Sequence, residues 1–402
     1  VNPFVLVAAH LRRSWLGAAA LVLVVAVAVA IGVAVLAQER ALRQGSARAA
    51  DPFDIVIGAP GSPTQLVLTT VYLQEAALPL LPPATLTDLD RHKGIAWMAP
   101  LAFGDSWRGH PVVGTTAALV TLGGARALTE GRVFQAEGEA VAGADVPLAI
   151  GATLSPSHGH SSGERAGQVH EGHAIAIVGR LPRTGTPFDR AILVPIEKVW
   201  EIHGLPTGHP EGDPRIGPPW SEATGATPAI VIKAASVADA YRLRGQNRTP
   251  ERMAVFPAEV LVALYATLGD VRDVMAALTL ATQALVLVAV LVAVMAVVAA
   301  RRREIAVLRA LGAPRSFVFA SLWCGLGVLL AAGGLLGLAL GYAATALLSA
   351  WLGARTGVRL PVAFAAEDLA RAAGVVAVGL LLALAPALAA FRTSVSAGLR
   401  GE

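Results

Sequence analysis

The stretch LGAAALVLVVAVAVAIGVAVLA, residues 16–37, carries no charged side chain and follows directly on Arg12, Arg13, Ser14 and Trp15. A helix rises 1.5 Å per residue and the hydrocarbon core of a bilayer is about 30 Å thick, so about 20 apolar residues cross it. Leu16–Ala37 therefore reads as a spanning helix. Three further segments pass the same test. Val274–Ala300 is interrupted only by Thr279, Thr282 and Gln283, Ser316–Ala354 is uncharged, and Ala372–Phe391 runs between Arg371 and Arg392. Ser316–Ala354 is long for one straight crossing and short for two. The composition agrees with this count: of 402 residues 55% are hydrophobic and 15% charged, against about 45–50% and about 25% in soluble domains. A secreted enzyme, a nucleic-acid-binding protein and a disordered scaffold all fit poorly.

The apolar run at 16–37 is longer than the roughly 7–15 residues of a signal-peptide core, and no small-residue cleavage site precedes Gln38-Glu39-Arg40. It reads as an anchor that stays. The net charge of +4 could invite a nucleic-acid reading, but topology explains the arginines better, because cytoplasmic flanks collect Lys and Arg. Arg12 and Arg13, then Arg301–Arg303 with Arg309 and Arg315, then Arg392 and Arg400 all fall on one side if residues 38–273 lie outside and both termini inside. This requires Ser316–Ala354 to cross once, with its surplus as an outer-surface helix. A helical hairpin there is the alternative, and it would put the C-terminus outside.

The segments follow: 1–15 cytoplasmic, 16–37 the first span, 38–273 an extracytoplasmic domain, 274–300 the second span, 301–315 a cytoplasmic turn. Then come 316–354 as the third span with its extension, 355–371 as an outer loop, 372–391 as the fourth span and 392–402 as a cytoplasmic tail. The fold class is a membrane protein of four transmembrane helices, one plus three, with a large α+β domain between the first and second. Gln38–Ala50 extends the first span as a helix, and Pro257 opens another with Val260, Leu264, Leu268, Val271 and Met275 on one face. Side by side the two would form a stalk. Between them short strands are expected at Phe53–Ile57, Val112–Thr116, Leu148–Ile150, Ala174–Val178, Ala191–Val194 and Ala229–Ile232, separated by Gly and Pro clusters. Pro79–Pro83 and Gly208–Pro219 read as loops. Cys324 is the single cysteine, so no intrachain disulfide supports the domain.

No Walker A motif is present: the three lysines, Lys93, Lys198 and Lys233, are followed by Gly94, Val199 and Ala234, where the motif needs Ser or Thr. Nucleotide energy must come from another chain, and no enzymatic activity is expected of this one. Gly159-His160-Ser161-Ser162-Gly163 matches G-x-S-x-G, but without the strand and helix that give the pattern meaning. His170-Glu171-Gly172-His173 is one residue short of the zincin spacing. His158, His160, His170 and His173 fall within sixteen residues, with Glu164 and Glu171 among them and His203 and His209 beyond. Neutral imidazoles are common zinc ligands, so the loop could gather a zinc ion; a solvated His-rich loop, or one responding to pH near 6, is the plainer reading. A membrane-anchored protein that binds or senses zinc or another divalent metal, or the permease of a metal-linked ABC system, is the alternative function.

The spans carry no Asp, Glu, Lys, Arg or His, whereas transport pathways and proton relays usually do. A channel or secondary transporter is not expected. Gly333, Gly337 and Gly341, four apart, form a small-residue ridge for close helix packing, either within one chain or against a second copy.

Arg301-Arg302-Arg303-Glu304-Ile305-Ala306-Val307-Leu308-Arg309-Ala310-Leu311-Gly312-Ala313-Pro314-Arg315 forms a short amphipathic helix with Ile305, Leu308 and Leu311 on one face and Gly312 and Pro314 as its stop. It is either a basic anchor at the lipid headgroups or a helix that docks in a cytoplasmic partner. This stretch resembles the permeases of the FtsX and MacB type, the mechanotransmission class of ABC transporters. Pro386–Arg392 with Ala397–Arg400, and Ala174–Gly179 with Asp189–Pro195, resemble further parts of the family pattern; Ala59–Asp145 matches it weakly. The resemblance implies one span, an outer domain, then three spans, with the third counted as one crossing. It implies a cytoplasmic ABC ATPase as partner, a second permease copy, bacterial inner-membrane placement and room for a periplasmic partner. Arg302, Glu304, Leu308, Arg309, Leu311 and Gly312 would be the coupling residues. Ser155–His173 departs from the family, which has a short connection there.

Overall fold

The computed structural model describes residues 12–74, 76–158, 173–221, 223–267 and 310–392, with scattered helical positions between 274 and 307. The chain divides into two compact units, one of residues 43–268 with 351–360, the other of 1–42, 269–350 and 361–402.

The first unit is built on one sheet. Its strands are β1 (Ile55–Gly58), β2 (Ile95–Trp107), β3 (His110–Thr115), β4 (Glu130–Gly131), β5 (Glu139–Ala142), β6 (Thr153–Leu154), β7 (Ser157–His158), β8 (Ile175–Arg180), β9 (Ile192–Pro195), β10 (Ala229–Ala234) and β11 (Met253–Val255). They pair in the order β11-β1-β10-β2-β3-β9-β5-β8-β4, with β6 on β8 and β7 on β2. The pairings β3–β9 and β5–β8 are parallel, the others antiparallel.

Side chains alternate between the two faces of a strand, and both faces here are covered. Ile55, Ile57, Ile192, Val194, Ile230 and Ile232 share one core with Leu86, Leu89, Ile196, Trp200 and Leu243. Val56, Leu193 and Val231 share the other with Leu66, Val67, Val71, Leu119 and Leu261. The covering helices are Ala84–Asp90, Ile196–Ile202 and Val237–Gln246 on the first face, and Pro63–Tyr72, Ala117–Thr121 and Pro257–Thr267 on the second. They are short, and local chemistry starts them. Ser62 Oγ accepts from Gln65 N at 3.2 Å with Pro63 in the first turn, and Ser236 Oγ accepts from Asp239 N at 3.1 Å, both N-cap arrangements.

Five expected strands form within two residues of their expected ends. The expected strand at Leu148–Ile150 does not: that stretch is irregular. Pro147 can give no ladder hydrogen bond, and Arg180 instead donates to the carbonyls of Val146, at 3.0 Å, and Leu148. The long strand β2 went unrecognised because Pro100 and Gly104 interrupt its apolar pattern, yet Pro100 pairs with Ile230 in the ladder. The Gly208–Pro219 loop is tied down from inside: Glu197 is buried, and its Oε1 accepts from Trp220 Nε1 at 2.7 Å and Gly217 N at 2.8 Å. Residues 351–360 pack with this unit, with Arg359 N donating to Gly185 O at 2.8 Å and Arg190 Nη1 donating to Arg355 O.

In the second unit the described helices are parts of Trp15–Ala50, Arg315–Thr356 and Ala366–Arg392. Trp15–Ala50 and Ser316–Thr356 are long and apolar enough to cross a membrane. Ser316–Ala354 lies in one unbroken helix rather than a hairpin. Leu21, Val25, Val29, Val33, Leu326, Leu330, Ala372 and Ala383 form the shared core, while Leu16, Leu23, Leu335, Leu347 and Leu381 stay exposed. Exposed leucines over such lengths are costly in water and suited to lipid.

Candidate functional site in the helix bundle

The glycine ridge faces the first helix. A Cβ at Gly333 would stand 2.7 Å from Val25 Cβ, one at Gly337 2.6 Å from both Ala26 O and Val29 Cβ, and one at Gly341 2.8 Å from Val33 Cβ and 2.9 Å from Ala30 O. Glycines at four-residue spacing thus receive valines at the same spacing, letting the two backbones approach as small-residue seams do. The seam continues past the glycines. Thr345 Oγ1 lies 3.5 Å from Ala34 O, and Ser349 Oγ donates to Gln38 Oε1 at 3.3 Å. The run 333, 337, 341, 345, 349 is one line of small residues, and the last two were missed because they are not glycine. Gly334 meets helix Ala366–Arg392 instead, its Cβ position lying 2.9 Å from Val376 Cγ2.

Past the end of the seam sits a cluster of charged groups. Asp368 has a side chain 0% exposed. Arg40 donates to it with both terminal nitrogens, Nη1 to Oδ1 at 3.2 Å and Nη2 to Oδ2. Tyr342 Oη donates to Oδ2 at 2.6 Å and accepts from Ala365 N at 3.0 Å, and Arg371 Nη1 lies 3.7 Å from Oδ1. Asp368 stands in the first turn of helix Ala366–Arg392, where the helix dipole favours a negative charge. Burial pushes the Asp368 carboxyl up, but the hydrogen bonds from Arg40 and Tyr342 and the charges of Arg40 and Arg371 more than reverse this and hold it below the usual carboxylate range. One residue from each of three helices meets here. No sequence motif marks the group; the one available signal was an acid and a base each just outside an apolar run.

The turn before the third helix is described from Ala310 onward. Leu311 is 80% exposed, its N donates to Val307 O at 3.0 Å, and Gly312 has φ +91°, a left-handed position that glycine takes at a helix end. An apolar side chain this exposed beside a helix stop is free to meet another surface.

Residues 276–396 match the family described as FtsX-like permease C-terminal. The C-terminal part of the chain is thus similar to the FtsX-like permeases. The match takes in Gly333, Gly337 and Gly341, the turn at 301–315 and Asp368. The periplasmic region of MacB from Actinobacillus actinomycetemcomitans is similar over 54% of this chain and 95% of that one, at 10% identity and a TM-score of 0.33. No curated protein matches the chain.

Arg302, Glu304, Leu308 and Arg309 lie outside the described residues, so of the expected coupling set only Leu311 and Gly312 are placed. His160 and His170 also lie outside them, as do the G-x-S-x-G stretch and most of His170–His173. His158 is on β7, paired with Asp105 of β2, and His173 Nδ1 lies 3.2 Å from Lys198 Nζ, which bonds Glu201 Oε2 at 2.7 Å. His203 Nδ1 donates to Val199 O at 2.7 Å, and His209 Nε2 is 3.8 Å from Glu197 Oε1. Among the described residues no three His, Cys, Asp or Glu side chains are grouped to hold a metal.

Proposed function

We propose that this chain is an FtsX-like permease and the mechanotransmission subunit of an ABC transporter: ATP hydrolysis by a separate cytoplasmic ATPase shifts the turn at 301–315, and the helices carry that shift to the α+β domain. The observation that carries the reading is the joining of three helices into one body. The seam of Gly333, Gly337 and Gly341 on Val25, Val29 and Val33, and the Arg40–Asp368–Tyr342 group beyond it, leave little freedom for one helix to move without the others. Interdigitated packing passes a displacement on instead of absorbing it. Helices Trp15–Ala50 and Arg315–Thr356 each have residues in both units, so the chain itself is the connection. Four spans, an outer domain at 38–273 with a stalk, a bacterial inner membrane and a second permease copy belong to the same proposal. The spans carry no Asp, Glu, Lys, Arg or His, which favours a lever over a pore.

The decisive experiment reconstitutes the permease with its ATPase in nanodiscs. Leu308→Asp with Leu311→Asp puts two charges into the apolar docking face and should abolish stimulation of ATP hydrolysis while the permease stays folded. Full stimulation with the pair changed would sink the coupling role.

A further inference from the structure

The α+β unit contains a cavity of about 530 Å³, within the range of roughly 300–1,000 Å³ that holds small-molecule ligands. Three irregularities of the chain make it. The β2–β3 register shifts between Ala102 and Asp105, which leaves Phe103 and Gly104 out of the ladder and in the cavity wall; bulges of this kind re-aim side chains beside sites. Helix Pro63–Tyr72 ends on Leu73 in a left-handed conformation, φ 52°, which turns the chain into the wall segment 76–80. That segment is then fixed by its neighbour: Leu81 N donates to Thr227 O at 2.8 Å and the Leu81 side chain is 1% exposed, whereas Leu80, on the cavity wall, is 54% exposed.

The lining decides what could enter. Leu73, Leu78, Phe103, Val199 and Trp200 supply hydrocarbon and aromatic surface. Two of the polar groups in the wall are engaged already: Trp200 Nε1 donates to Ala226 O at 3.2 Å, and His203 Nδ1 to Val199 O at 2.7 Å; Gln74 and Asp105 are its other polar side chains. Neither Lys nor Arg lines the cavity, and its acidic residue is Asp105. An anion would meet a like charge with no cation to offset it, and a strongly polar ligand would lose its hydrogen bonds to water without replacement. A hydrocarbon chain loses nothing and removes apolar surface from water.

We propose that this cavity binds one hydrocarbon chain of an uncharged or cationic amphiphile. The proposal goes beyond the coupling role, since such binding needs neither ATP nor an ATPase.

The test uses the full chain in nanodiscs and three photoactivatable probes, each carrying a diazirine: an alkanol, the matching alkanoate, and a phosphatidylethanolamine with the diazirine on its acyl chain. Cross-linked peptides are mapped by mass spectrometry. The alkanol should label residues 73–80, 99–105 or 196–205, and Ala76→Phe and Leu78→Glu should each cut that label about tenfold, equivalent to ~1.4 kcal/mol in affinity. Label in the spanning helices should not change, which reports that each variant is folded; if one variant fails to fold, the other decides. The alkanoate should label the wall about tenfold less than the alkanol. Wall label from the phosphatidylethanolamine would assign the chain to membrane lipid, and wall label from the alkanol alone to a soluble amphiphile; either supports the site. No wall label from any probe, wall label unchanged in the folded variants, or equal label from the alkanoate would overturn the proposal.

Discussion

Asp368 receives two guanidinium nitrogens and a phenol on a carboxylate shut off from water, so its loss strands Arg40 beside an apolar bundle. Removing one partner of a fully buried pair costs about 3–5 kcal/mol; Arg40 keeps some contact with water, so Asp368→Ala should cost about 2–4 kcal/mol, read as a lower thermal midpoint in nanodiscs. The swap Arg40→Asp with Asp368→Arg should recover part of it. If the swap behaves as the sum of the singles, the pair is not the cause. The pH dependence has a definite sign. Asp368 is held below its ordinary value when folded, so its contribution is complete at neutral pH and fades as pH falls through the carboxylate range. Glu139 behaves alike in the other unit. Its hydrogen bond from Arg132 pulls it down to about 2, so its contribution should be lost between an unfolded value of about 4.3 and pH 2. Acid titration of unfolding in Glu139→Gln should show a flatter slope in that window. An unchanged slope would mean that the exposed pair adds nothing.

At the scale of elements, the glycines of the third helix are not equivalent. A methyl at Gly337 meets the carbonyl oxygen of Ala26 at 2.6 Å, whereas one at Gly334 meets only a Val376 methyl at 2.9 Å. Backbone cannot step aside as a side chain can. Gly337→Ala should therefore destabilise by about 1–3 kcal/mol, the range for overpacking, and Gly334→Ala by clearly less. Equal thermal midpoints for the two variants would refute this ranking. The ridge was legible because four-residue spacing is a property of the helix itself. Its partner was not, since any apolar helix offers valines. In the sheet, the unbroken apolar runs Ile55–Ile57, Ile192–Val194 and Ala229–Ile232 were equally plain, because both faces of each strand are covered. β2 was hidden by Pro100, and nothing in the local pattern marks Glu197 as the buried acceptor of the Trp220 indole.

For the whole molecule, the proposed topology makes a simple forecast. In a Cys324→Ser background, Tyr241→Cys, on an exposed side chain of the α+β unit, should react in intact cells with a membrane-impermeant maleimide. Leu311→Cys should react only after the cells are opened. Both positions are exposed, so access to the reagent, not burial, decides the outcome. Label at 311 in intact cells would reverse the orientation.

What the sequence determined by itself was carried by local periodicity and local charge: two helices long and apolar enough to cross a membrane, the glycine line, most strands, the stop at Gly312 and a resemblance to the FtsX-like permeases. What only the tertiary structure decided was which distant groups meet. Arg40 and Asp368 are 328 positions apart, and the walls of the cavity come from residues 73 to 228. Periodicity follows from the geometry of one helix or strand. Pairing follows from how the chain folds back on itself, and the pattern of a single segment holds no record of that.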